Sequence, residues 1–141
     1  MKATRTSQDA ARLAIAIGRI NRRIRASEDG MTHGQLSVLS TIVRRGPLRP
    51  GEIARREHLA PPSVTRLVAD LESQGLVKRE PDPDDRRSFF VLGTPQGEQA
   101  VLRARAERAD RIGALLATLD DDEFAAVLAA LDALERIAEP G

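Results

Sequence analysis

Early in the chain, apolar residues return at Leu13, Ile17, Ile20 and Ile24, in steps of four, three and four, with arginines on the faces between them. That period keeps side chains on one side of an α-helix, so residues 8–26 are expected to form one helix with a single apolar seam. SerGluAspGly at 27–30 reads as a turn. Thr32, with Gln35 three residues on, makes a capping box that opens a second helix. Leu36, Leu39, Ile42 and Val43 give this helix its buried stripe, and it should end near Arg45, ahead of Gly46-Pro47. A short third helix starts at Pro50 within 48–58 and buries Ile53 and Ala54, with Leu59 packing in the turn that follows.

The pattern is sharpest from 59 to 79, LAPPSVTRLVADLESQGLVKR. Pro61 and Pro62 suit a first helical turn, because proline presets φ and lacks an N–H that this turn leaves unpaired anyway. Val64, Leu67, Val68 and Leu71 line the back of this helix, and Gly75 supplies a left-handed stop, which predicts a helix over 61–74. Its other face opens with Ser63, Thr65 and Arg66, side chains that suit phosphates or base edges and that core packing does not require. Residues 76–80 are expected to form a strand, 81–85 a turn and 88–92 a returning strand, with Arg86 and Arg87 where the hairpin comes back from its tip.

Beyond the hairpin, Thr94 caps a long helix with Pro95 at its first position. Leu102, Ala106, Ala109, Ile112, Leu116 and Leu119 repeat along it to about Thr118. Asp120 and Glu123 form a second capping box for a last helix carrying Phe124, Val127, Leu128, Leu131, Leu134 and Ala138. The first and last helices have more apolar stripe than one small domain needs to cover, so they are expected to cover each other across a homodimer.

SVTRLVADLESQGLVKR followed by DPDDRRSFFVLGTPQG resembles the MarR family of winged helix-turn-helix transcription regulators, and the likeness runs over roughly residues 8–138. The fold expected is mainly α with a small β wing, in the order α-α-α-α-β-β-α-α. Residues 1–30 would form an N-terminal dimerisation helix, 31–93 the winged helix-turn-helix and 94–141 a C-terminal helical dimerisation region. The resemblance implies a dimeric repressor on double-stranded DNA, with a pseudo-palindromic site and half-sites about 10 bp apart. Pro61, Pro62, Ser63, Thr65 and Arg66 would meet the major groove and Arg86 and Arg87 the minor groove, the family placing there an arginine that matches Arg87. It also implies a phenolic or anionic small-molecule effector between the DNA-binding and dimerisation layers, for which Arg19, His33 and Ser40 are the candidate polar contacts. Two departures stand out. The family often has an acid at the position of Ala69, paired with an arginine matching Arg79, whereas here the acid is Asp70. Gly93 stands where the family has a core leucine, so the second strand is expected to bulge or shift register.

Composition narrows the competing readings. With 41% hydrophobic residues in 141, a core is affordable in one domain. There is no cysteine, which excludes disulfides, thiolate metal sites and a cysteine-based peroxide sensor; two histidines, His33 and His58, cannot by themselves build a typical zinc site, although carboxylates could complete one. Gly46 and Gly51 have phosphate-loop spacing but lead into Glu52-Ile53, so that match fails. With no cysteine nucleophile, no phosphate loop and only two histidines far apart in sequence, no catalytic constellation is recognisable and an enzyme is not expected. The longest early apolar run, 13–17, is too short for a membrane span, and a cytoplasmic protein is expected. Net charge is only +1, but it is unevenly placed: +5 over 1–28, +1 over 29–92 and −5 over 93–141. Arg49, Arg55 and Arg56 on the third helix are either phosphate contacts or solvated surface. A winged helix reused as a protein-interaction module, or as a non-specific architectural DNA-binding module, is the competing reading.

Overall fold

The computed structural model describes residues 2–25 and 30–139, with side chains from Thr6 onward. Its elements are α1 (Lys2–Ile24), α2 (His33–Arg45), α3 (Pro50–Glu57), α4 (Pro61–Ser73), β1 (Val77–Pro81), β2 (Phe89–Gly93), α5 (Pro95–Leu116) and α6 (Asp121–Ala138). The order is the one the periodicity implies. α1 begins at Lys2 rather than residue 8. Its expected end at Ala26 and most of the expected 27–30 turn lie outside the described residues, while Gly30 is in a left-handed turn conformation.

The chain divides into two compact units, Met1–Glu107 and Arg108–Gly141. The first holds the core. Val38, Leu39 and Ile42 of α2, Ile53 of α3, Val64, Val68 and Leu71 of α4, Val77 and Val91 of the hairpin and Val101 of α5 are all almost completely buried. Local chemistry positions these elements. Thr32 and Gln35 exchange both bonds of the capping box, Gln35 N–H to Thr32 Oγ1 at 3.1 Å and Thr32 N–H to Gln35 Oε1 at 2.9 Å. The Glu57 carboxylate accepts from Ser37 Oγ at 2.6 Å and from Thr41 Oγ1, fastening the end of α3 to α2. His58 turns the chain out of α3 with a left-handed φ of 53°.

β1 and β2 pair antiparallel, Val77 opposite Gly93 through Pro81 opposite Phe89. Each strand sits one residue later than expected. The bulge or register shift anticipated at Gly93 is absent from this ladder, and packing supplies the reason for the glycine. A Cβ there would lie 2.9 Å from Val43 Cγ2, so Val43 of α2 fills the room a leucine would use. A third arm joins the sheet at Leu48, which exchanges backbone bonds with Val91 at 3.1 and 2.8 Å.

α5 leaves the sheet through Thr94, whose hydroxyl donates to the Gly75 carbonyl at 2.6 Å and accepts from Gly97 N–H at 3.1 Å. Gly97, Ala100, Val101 and Ala104 are the buried face of this helix. The expected stripe is a different one, and its member Leu102 is 55% exposed. Gly97 lets the helix lie close to the Leu76 carbonyl and to Leu39 of α2, while Leu102 stays outside that buried face. In the second unit, Asp120 and Glu123 complete the expected capping box at 2.8 and 3.0 Å. α6 buries no residue within the chain. Among the described residues no helix is long and apolar enough to cross a membrane, and no group of three or more metal-ligating side chains occurs.

Candidate nucleic-acid interface

α4 separates its two faces cleanly. Val64, Val68 and Leu71 are buried, while Pro61, Pro62, Thr65, Arg66, Ala69 and Asp70 are exposed and Ser63 is half-buried. Ala60 caps the helix without a side-chain bond, so the first turn depends on two prolines that need fewer partners. The Thr65 hydroxyl donates back to the Pro61 carbonyl at 3.1 Å, so its oxygen keeps acceptor capacity. Of the expected contact residues on this helix, Pro61, Pro62, Thr65 and Arg66 are therefore exposed and Ser63 partly so.

The wing tip is built by aspartates. Asp85 accepts Ser88 N–H on its carbonyl at 3.1 Å and Arg87 N–H on its carboxylate at 2.9 Å, so Arg86 and Arg87 occupy the middle of a tight turn. Both arginines are exposed. Below them Asp82 is only 3% exposed, in a turn whose other members, Pro81 and residues 83–87, are exposed. Its Oδ1 accepts Asp84 N–H at 3.0 Å, and its Oδ2 accepts Arg49 Nε and Nη2 at 3.1 and 2.9 Å. The Asp84 N–H first, and then the Arg49 guanidinium, hold this carboxyl below the ordinary carboxylate range despite its burial. The bond to Asp82, and then the charge of that carboxylate, raise the Arg49 pKa. Arg49 also stacks over Phe90 at 4.7 Å and, at the cap of α3, its N–H donates to Glu52 Oε1 at 3.3 Å.

Arg49 is thus neither a free phosphate contact nor mere solvated surface, the two readings open from sequence: it straps the wing to α3. Two residues 33 apart in sequence give no local signal of this. Arg79 pairs with Glu72, Nε to Oε2 at 3.2 Å, and lies over Phe89 at 4.6 Å. Glu72 takes the part that the family gives to an acid at the position of Ala69, and Asp70 does not. The effector candidates are dispersed. His33 is exposed at the first position of α2, and Ser40 is half-buried two turns along. Arg19 borders a shallow depression on α1 with Arg12, Leu13 and Ile15 that includes neither of them.

A helix with a buried back and a polar first turn, followed by an arginine-tipped hairpin braced on the preceding helix, defines a winged helix-turn-helix protein. The MarR family pattern matches residues 31–89. The HTH-type transcriptional regulator ML2140 of Mycobacterium leprae is 37% identical over 113 residues, 79% of each chain. The HTH-type transcriptional repressor MdtR of Bacillus subtilis is 30% identical over 97 residues, 69% of this chain and 63% of that one. A solved transcriptional regulator protein from Pseudomonas aeruginosa PA01 is 30% identical, with a TM-score of 0.83, covering 97% of this chain and 98% of that one. The chain belongs to the MarR family and is a transcription regulator.

Proposed function

We propose that the protein works in the cytoplasm as a homodimeric repressor, not as an enzyme. Each subunit places the first turn of α4, with Pro61, Pro62, Ser63, Thr65 and Arg66, in the major groove of one half-site. Arg86 and Arg87 reach the adjoining minor groove. Residues 1–30 and 94–141 supply the dimer contact and 31–93 the DNA-binding module. Two-fold symmetry sets the half-sites about 10 bp apart. The observation that carries this reading is the wing: two exposed arginines on a turn whose base is fixed by the buried Asp82–Arg49 pair. A hairpin used only for solubility has no need of a rigid base. Repression, rather than activation, rests on likeness to a relative named as a repressor.

The test is binding of the purified protein to duplex from upstream of its own gene, against random duplex, across a salt series, with the mass followed by light scattering. A dimer, a clear preference for the upstream duplex and a steep salt slope are expected. Equal affinity for random duplex would leave an architectural module, and a micromolar monomer would remove the two-half-site geometry. A phenolic or anionic effector that loosens the complex belongs to the same proposal. For any such compound, substitution of Arg19, His33 or Ser40 should shift the concentration that gives half-release.

A further inference from the structure

Between α3 and the returning wing strand lies an open depression of about 600 Å³, bordered by Arg49, Glu52, Arg55, Arg87, Ser88 and Phe89. Three arginines border it, Arg49 and Arg55 from α3 and its cap and Arg87 from the wing. They are not equivalent. Arg49 is neutralised by Asp82 and lies 4.0 Å from Glu52, and Glu52 is itself occupied in capping α3. Arg55 and Arg87 are exposed and have no side-chain hydrogen bond or ion pair among the described residues. Arg56, the next residue on α3, is also exposed but does not border the depression.

Two like charges held beside one concavity, with their nearest neighbour already compensated, are arranged for an anion. The guanidinium fork suits a phosphate in particular, through paired N–H donors. The depression is open, so a small free anion there would keep most of its water. A phosphate carried on a duplex arrives already positioned by the contacts on either side. Resting on the function proposed above, we infer that this depression seats one DNA backbone phosphate at the lip of the minor groove. Arg55 is its principal ligand, and Arg87 passes over it toward the base edges. The first helix of the helix-turn-helix then holds the strand that the wing must reach across.

The experiment is a double-mutant cycle on the full-length protein with its upstream duplex. Arg55→Ala should weaken binding about tenfold, as for loss of a charged hydrogen bond, and lower the salt slope by about one unit. Adding Arg87→Ala should cost less than the product of the two single losses, while Arg56→Ala and Arg87→Ala should combine independently. Gly51→Glu is the second arm. A Cβ at Gly51 meets nothing within 4 Å, and an acid in the first turn of α3 suits its dipole, so the variant should fold while placing negative charge at the rim. It should lose affinity with undiminished thermal stability. Neutral methylphosphonate substitution, one backbone position at a time, should find a phosphate whose loss harms the wild type but not Arg55→Ala. Inorganic phosphate that perturbs Arg55 while all duplex arms stay unchanged would assign the depression to a free anion and overturn the inference. So would wild-type affinity in Arg55→Ala and Gly51→Glu, provided the unaltered protein still discriminates its duplex. Failure of the unaltered protein to discriminate would instead strike the proposed function.

Discussion

Arg49 and Asp82 join the cap of α3 to the base of the wing, Nη2 to Oδ2 at 2.9 Å, with the aspartate side chain 1% exposed and the arginine side chain 47% exposed. The acid is therefore sequestered by its partner rather than by the core, and the hairpin tip inherits its orientation from the helix-turn-helix. Asp82→Asn keeps the size of the side chain and its bond from Asp84 but weakens the charge-assisted fork. The expected result is about a tenfold loss of operator affinity with α-helical content unchanged. Arg49→Ala should behave alike, and Arg49→Lys should restore only part. Titration of labelled operator measures all three, and wild-type binding by Asp82→Asn would show that the wing does not need this brace.

The same pair predicts a pH profile. The Asp82 carboxyl is held below its ordinary range in the folded protein, whereas in the unfolded chain it titrates near about 3.9. Its contribution to stability is complete above that unfolded value and is lost as pH falls through the lower folded one. Denaturation of wild type and Asp82→Asn should therefore show a constant stability gap from about pH 8 to 5 that closes only below about pH 4. A gap that changed near neutrality would point to a different titrating group.

Gly93 and Val43 make a packing prediction. Because a Cβ at 93 falls 2.9 Å from Val43 Cγ2, Gly93→Ala should destabilise by about 1–3 kcal/mol, as overpacking does. In the Val43→Ala background that cost should largely vanish, a coupling read by denaturant unfolding. Additive losses would mean that strand geometry, not Val43, excludes a side chain.

These cases also mark what was readable from sequence. The capping boxes at Thr32 and Asp120, the proline start of α4 and the left-handed stop at Gly75 depend on neighbours within a few residues, and the structure has them as expected. The Leu48–Val91 bridge, the Arg49–Asp82 brace and the choice of Glu72 for Arg79 depend on which distant segments meet. Periodicity carries no information about that. For α5 the apolar repeat runs along one face and the chain buries another, since Gly97, Ala100 and Ala104 are too small to register as a stripe. Gly97 shows the constraint most sharply, because a Cβ there would lie 2.0 Å from the Leu76 carbonyl oxygen.

The last prediction concerns the surface that one chain leaves uncovered. Phe124, Leu128, Leu131 and Leu134 recur on one side of α6 and are 36–48% exposed. Burying a leucine fully stabilises by about 1.5–3 kcal/mol, and a two-fold axis counts each position twice. Leu131→Arg removes that term from both subunits and sets two like charges against each other. It is expected to give a monomer at micromolar concentration by light scattering, with operator affinity reduced more than about a hundredfold because the two half-sites are no longer linked. Ala133→Arg, on the opposite side of α6 and also exposed, should leave both mass and affinity unchanged. A Leu131→Arg protein that still weighs as a dimer would remove α6 from the interface and require the pair of recognition helices to be held apart by another surface.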